Sequence, residues 1–148
     1  MAVYTKITNK EIISISNFYH LGKVIRFKGI KKGIENTNYL LKTNKKKLIL
    51  TIFEKRVQIK DLPFFMNLMD KLSQKNIICP KPLKDKKGKY LSKIKGKSAC
   101  IVSFIEGKDK AKLNNKNCFE IGKNIAKLHQ AANKIKLYRH NSMSVTRL

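Results

Sequence analysis

Residues 29 to 41 read Gly29-Ile30-Lys31-Lys32-Gly33-Ile34-Glu35-Asn36-Thr37-Asn38-Tyr39-Leu40-Leu41. Glycine and small polar side chains of this kind let backbone N–H groups approach an anion closely and set amide and hydroxyl donors beside it. Gly33, Ile34, Glu35, Asn36, Thr37 and Asn38 are the positions that could lie over the phosphates of a nucleotide. Ordinary hairpin loops use the same residue types, so the elements on either side have to decide what this loop is.

Other groups with chemical potential are scattered. His20 and His140 have no partners at metal-ligand spacing. His129 lies beside an apolar helical stripe, a setting that predicts a packed, hydrogen-bonded imidazole. Cys79, Cys100 and Cys118 are odd in number and widely separated, with no C-x-x-C pair. That pattern argues against a disulfide framework or a zinc knuckle and for reduced, mostly buried thiols in a cytoplasmic protein. Met66 and Met69 read as fillers of a helix core.

The net charge of +25 on 148 residues would attract any polyanion. Of the 34 basic residues only Arg26, Arg56, Arg139 and Arg147 are arginines. Base-reading surfaces use arginine forks interleaved with aromatics. The charge therefore implies at most non-specific contact with nucleic acid. A basic RNA- or ribosome-associated binding protein is the alternative that this charge keeps open. The start of the chain lacks the apolar run of a signal peptide, and no stretch approaches membrane-spanning length.

The positioning elements follow from periodicity. Thr8-Asn9-Lys10-Glu11 is a capping box that opens a helix carrying Ile12, Ile15 and Tyr19 on one face, with Gly22 as its stop. Strands are predicted at 24–30, 37–43 and 48–53. Asp61 caps a second helix with Pro63 in its first turn and Leu62, Phe65, Met66, Met69 and Leu72 at helical spacing. Cys79-Pro80-Lys81-Pro82 must be extended. A short strand follows at 89–91 and a stronger one at 98–105. A third helix runs from about 115 to 133, with Ile121, Ile125, Leu128 and Ala132 as its stripe. The fold class is α+β: a mostly antiparallel sheet of about five strands with a helix inserted after the third, the layout of a protein-kinase-like N-lobe. Residues 1–105 would form that nucleotide-binding lobe. Residues 106–148 would form the hinge and first part of a truncated helical C-lobe.

With those elements in place, the chain resembles the N-terminal portion of homoserine kinases of the aminoglycoside-phosphotransferase-like superfamily. The likeness rests on an ordered set of segments. The first are Met1-Ala2-Val3-Tyr4-Thr5, Phe27-Lys28-Gly29-Ile30 and Gly33-Ile34-Glu35-Asn36-Thr37-Asn38-Tyr39. Next come Leu50-Thr51-Ile52-Phe53-Glu54-Lys55-Arg56, Leu62-Pro63-Phe64-Phe65 and Cys79-Pro80-Lys81-Pro82. The last are Ile101-Val102-Ser103-Phe104-Ile105-Glu106-Gly107 and Gly122-Lys123-Asn124-Ile125-Ala126-Lys127-Leu128-His129.

The resemblance implies transfer of the ATP γ-phosphoryl group to the hydroxyl of L-homoserine, with Mg²⁺. It implies that residues 33–38 cover the phosphates and that Ser103, Phe104 and Ile105 form the hinge that meets adenine. Many kinases place a phosphate-pairing lysine on the third strand. Thr51 occupies that position here, leaving Lys55 and Arg56 as candidates at the strand's end. The aspartate base and the metal ligands of the family lie on a later His-x-Asp loop. No such sequence occurs in these residues, and no acidic residue follows His129. The expectation is therefore a chain with no catalytic or metal-ligating residues of its own, inactive alone. A related phosphotransferase with a different alcohol acceptor would share all of these features.

Overall fold

The structure is a computed structural model and describes residues 3–55 and 57–140. Its elements are α1 (Asn9–Phe18), β1 (Val24–Gly29), β2 (Thr37–Thr43), β3 (Lys47–Ile52), α2 (Leu62–Gln74), β4 (Leu91–Ile94), β5 (Lys97–Ser103) and α3 (Asn115–Asn133). The strands form one antiparallel sheet in the order β1-β2-β3-β5-β4, with α2 inserted between β3 and β4. This is the expected five-stranded, kinase-like arrangement.

Strict alternation divides the sheet into two faces. Leu41, Leu48, Leu50, Ile52, Ala99 and Ile101 point to one side and pack with Ile12 and Tyr19 of α1. On the other side α2 sets Met66, with Phe65 and Met69, against Cys100 and Val102 of β5. The thioethers are core fillers, as their spacing predicts. Because α2 covers β4 and β5, the β1–β3 half of that second face stays open.

Local chemistry explains the ends of the elements, with two corrections. Thr8 and Glu11 form the capping box in full: Glu11 N–H donates to Thr8 Oγ1 and Thr8 N–H to Glu11 Oε2. Gly22 does not stop α1, which ends at Phe18. Its φ of +91° carries the chain past Asn44, whose Oδ1 lies where a Cβ would stand. Asp61 makes no capping bond: a 3-10 turn over Ile59–Asp61 runs straight into α2 and leaves Asp61 in helical geometry. Its carboxylate instead meets Arg139 at 3.6 Å, and that guanidinium also stacks over Phe65. The fourth strand begins at Leu91, later than predicted, because Asp85 Oδ1 accepts from the N–H groups of Lys87 and Lys89 and holds 85–89 as a turn.

The three thiols are unpaired, with Cys100 buried, Cys79 half-buried and Cys118 exposed on α3. Cys118 corrects the expectation of mostly buried thiols, because α3 packs only part of its surface. Burial pushes the Cys100 thiol up to about 12, so its thiolate is scarce at neutral pH. In a titration with an aromatic disulfide reagent, Cys118 should react at once and Cys100 only after unfolding. Early labelling of Cys100, read by mass spectrometry, would contradict this packing.

Candidate functional site

β3 links the two predicted halves of the site. Phe104 N–H donates to Lys47 O at one end of the strand (3.3 Å), and Thr37 pairs with Ile52 at the other. Five steps of about 3.3 Å separate these ends, roughly 17 Å along one strand. An extended nucleoside triphosphate could lie along that line.

The loop end is built from open backbone. Among the described residues, none of the N–H groups of positions 31–36 donates a hydrogen bond, and all but Asn36 are exposed. Gly33 adopts φ +105° with open space on its Cβ side, a conformation that side-chain-bearing residues rarely take. Asn36 Oδ1 accepts from Glu54 N–H (3.3 Å), tying the loop to the end of β3. Thr37 is wholly buried and faces away from the open half of the sheet. Asn38 lies on the open face, where its Oδ1 accepts from Thr51 Oγ1 at 2.8 Å. The six loop positions are thus contiguous but play different parts: 33–36 offer backbone, Asn38 a face, and Thr37 an anchor beneath.

The middle is an apolar floor with cations at its margin. Registers Lys28↔Leu40, Leu40↔Ile49 and Ile49↔Val102 place these side chains in one row, open at Lys28, Leu40 and Ile49 and covered by α2 at Val102. Thr51 stands in the row nearer the loop, bonded to Asn38, so no lysine occupies the third-strand position. The α2 acids do not reach toward it. Asp61 faces Arg139, and Asp70 accepts from Gln74 (2.6 Å). Lys55 is exposed in a turn, and Arg56 lies outside the described residues.

At the predicted hinge, Ser103 N–H donates to Lys81 O (2.9 Å) and Phe104 N–H to Lys47 O. Ser103 Oγ accepts from Lys81 N–H. Of the three hinge N–H groups only that of Ile105 has no partner among the described residues. A hollow of about 540 Å³ behind the hinge is lined by Leu48 and Leu83 of the α1-side core. It therefore opens on the opposite face from Ile49 and Thr51. A larger cleft of about 790 Å³ separates α3 from Ile77 and Ile78. His129, expected to be packed, is exposed on α3 and makes no hydrogen bond among the described residues, because the stripe beside it is itself open. Ile121 and Ile125 are 45% and 48% exposed.

Sequence reasoning missed a polar cluster under the loop. Glu54 Oε1 accepts from Thr5 Oγ1 and Thr37 Oγ1, each at 2.7 Å, while Lys97 of β5 donates to its other oxygen and to Thr5 Oγ1. The Glu54 side chain is only 9% exposed. Burial alone would raise its carboxyl, but the Lys97 ammonium and the Thr37 and Thr5 hydroxyls outweigh this and hold it below 4.5. A charged residue two positions beyond an apolar strand was the available signal, although its partners are distant in sequence.

A carboxylate with a depressed folded value contributes stability that is present above about 4.5 and lost as pH falls through the folded value. Tyr4 and Thr5 N–H groups, both donated to Thr37 Oγ1, should be protected at neutral pH and exchange freely below that range. Protection persisting in acid, measured by NMR, would disprove the coupling.

The Phosphotransferase enzyme family matches residues 26–146 of the chain. Homoserine kinase of Agrobacterium fabrum is 44% identical over 145 residues, covering 98% of this chain and 45% of that enzyme. Homoserine kinase of Methylobacterium radiotolerans is 40% identical over 146 residues, covering 99% and 46%. The chain spans about half the length of the curated relatives it matches. Among solved structures, a spectinomycin phosphotransferase in complex with ADP and spectinomycin matches with a TM-score of 0.66. The match covers 86% of this chain and 39% of that one at 13% identity, a likeness of fold. No helix among the described residues is long and apolar enough to cross a membrane.

Proposed function

Because the chain belongs to the phosphotransferase enzyme family, we propose that it is the nucleotide-binding part of a homoserine kinase, the enzyme that transfers the ATP γ-phosphoryl group to the hydroxyl of L-homoserine. Residues 1–105 are the nucleotide lobe, and 106–148 are the hinge and the start of a helical lobe. The observation that carries this reading is the open half of the sheet, bounded at one end by six loop N–H groups and at the other by the Ile105 N–H, none with a partner among the described residues. Leu40 and Ile49 offer a floor for the adenine ring, and residues 33–38 cover the phosphates. The acceptor rests on the homoserine kinases at 40–44% identity. The proposed setting is the cytoplasm, in keeping with three unpaired thiols.

Mg²⁺ shields the transferring phosphates in such chemistry. Among the described residues no three His, Cys, Asp or Glu side chains converge, so these residues do not fit a metal centre. These 148 residues also hold no His-x-Asp sequence. They should therefore bind nucleotide without turning it over, and ADP release dependent on homoserine would overturn that statement.

An isotope-labelled chain titrated with MgATP should show amide shifts at 33–38 and at Ile105. Shifts spread over surface lysines and erased by moderate salt would instead mean charge-driven polyanion binding. In a longer protein carrying the catalytic loop, phosphorylation of another alcohol in place of homoserine would move the assignment to a related phosphotransferase.

A further inference from the structure

Among the described residues, the loop at 31–36 has no hydrogen bond from its own backbone N–H groups, so something else must set its shape. Besides a fully exposed Lys32–Asp109 pair at 3.5 Å, three polar links reach it, and two come from the Glu54 cluster. Thr37, the residue that ends the loop, donates to the Glu54 carboxylate (2.7 Å), and Glu54 N–H donates to Asn36 Oδ1 (3.3 Å). The third is Tyr4, whose hydroxyl donates to Ile34 O at 3.0 Å. Tyr4 belongs to the segment 3–7, which the same cluster holds. Thr37 Oγ1 accepts from Tyr4 and Thr5 N–H (2.9 and 3.1 Å), and Tyr39 Oη donates to Thr5 O and accepts from Ile7 N–H. Val3 presses on the end of β1: its Cγ2 is 2.8 Å from where a Cβ on Gly29 would stand. Both strands that carry the loop are thus gripped by one strap.

We propose that Glu54 is a positioning residue that, through Thr37 and the strap at 3–7, fixes the loop in the shape that receives a phosphate chain; the second half of this statement rests on the nucleotide reading above. The cluster sits at the end of the sheet, beyond the ladder that joins β3 to β5. Its loss should therefore loosen the loop and leave the core. Lys97 neutralises the carboxylate, so the anchor sets no uncompensated negative charge beside a site for polyphosphate. Buried polar groups that are fully satisfied specify one geometry. Among the described residues every buried side-chain nitrogen and oxygen has a partner.

The test uses the 148-residue chain with Glu54→Gln, Thr37→Val, Thr37→Ser and Tyr4→Phe. Backbone order parameters of 31–36, near 0.85 in a held loop, should fall toward about 0.6 in Glu54→Gln and Thr37→Val. Exchange of the Tyr4 and Thr5 N–H groups should rise about tenfold and MgATP affinity should drop about tenfold, with the β3 and β5 amides unchanged. Thr37→Ser keeps the hydroxyl and should behave as the parent. Tyr4 is 56% exposed, so Tyr4→Phe leaves the fold intact and should loosen only the residues around Ile34. Unchanged order parameters, or faster exchange spread evenly through β3 and β5, would overturn the proposal. If the loop loosens as expected but MgATP shifts none of its amides in the parent chain, the anchor stands and the nucleotide function falls.

Discussion

Leu50→Ala is expected to lower stability by about 2–5 kcal/mol. Leu50 lies in the middle of β3, paired with Tyr39 and Ile101, and has no exposed surface. Removing its branched end leaves a cavity between the sheet and α1, and neighbours in regular strands have little freedom to collapse into it. Domains of this size hold only about 5–15 kcal/mol in total. The loss should therefore lower the thermal midpoint by on the order of 10 °C, or leave the chain unfolded at 37 °C. Ile49→Ala, one position away, is the informative contrast. Ile49 points to the open face and is only half-buried, so it should cost far less stability while removing part of the proposed adenine floor. Circular dichroism melts of the two variants would separate core from site; equal losses would mean that the two faces are not divided as described.

The parts of the fold legible in the sequence are those governed by local rules. The Thr8–Glu11 box and the bounds of β2 and α3 follow from capping and periodicity alone, and the structure reproduces them. Asp61 shows where that logic stops. An acidic residue before a proline has the composition of an N-cap, but a 3-10 turn and an arginine 78 residues later claim it. His129 fails for a related reason: periodicity identifies an apolar face without saying what covers it. The candidate site divides the same way. The segments proposed as its loop and hinge stand out in the sequence as an ordered pair, and the structure places them at the two ends of β3. Glu54 does not stand out, because its meaning lies in Thr5, Thr37 and Lys97, brought together only by the end of the sheet. At Thr51, where many kinases carry a lysine, the structure shows a bond to Asn38 that the sequence did not predict.

The second large effect is functional and turns on one N–H group. Ile105→Pro removes the one N–H of the predicted hinge three that has no partner among the described residues. No hydrogen bond among those residues is lost with it, and the preceding Phe104 follows an extended strand, the conformation that a residue before proline prefers. Stability should therefore change by about 0.5 kcal/mol or less. An adenine ring edge left buried without its donor loses about 1–3 kcal/mol, so MgATP affinity should fall roughly 5- to 150-fold. Ile105→Ala keeps the N–H and trims only the side chain, so its loss of affinity should be much smaller. Phe104→Pro, by contrast, breaks the bond to Lys47 O and should destabilise the sheet itself. Calorimetric binding alongside thermal melts of the three variants would resolve the order. If Ile105→Pro binds MgATP as well as Ile105→Ala does, adenine is not read through this N–H, and the nucleotide must lie elsewhere on the open face.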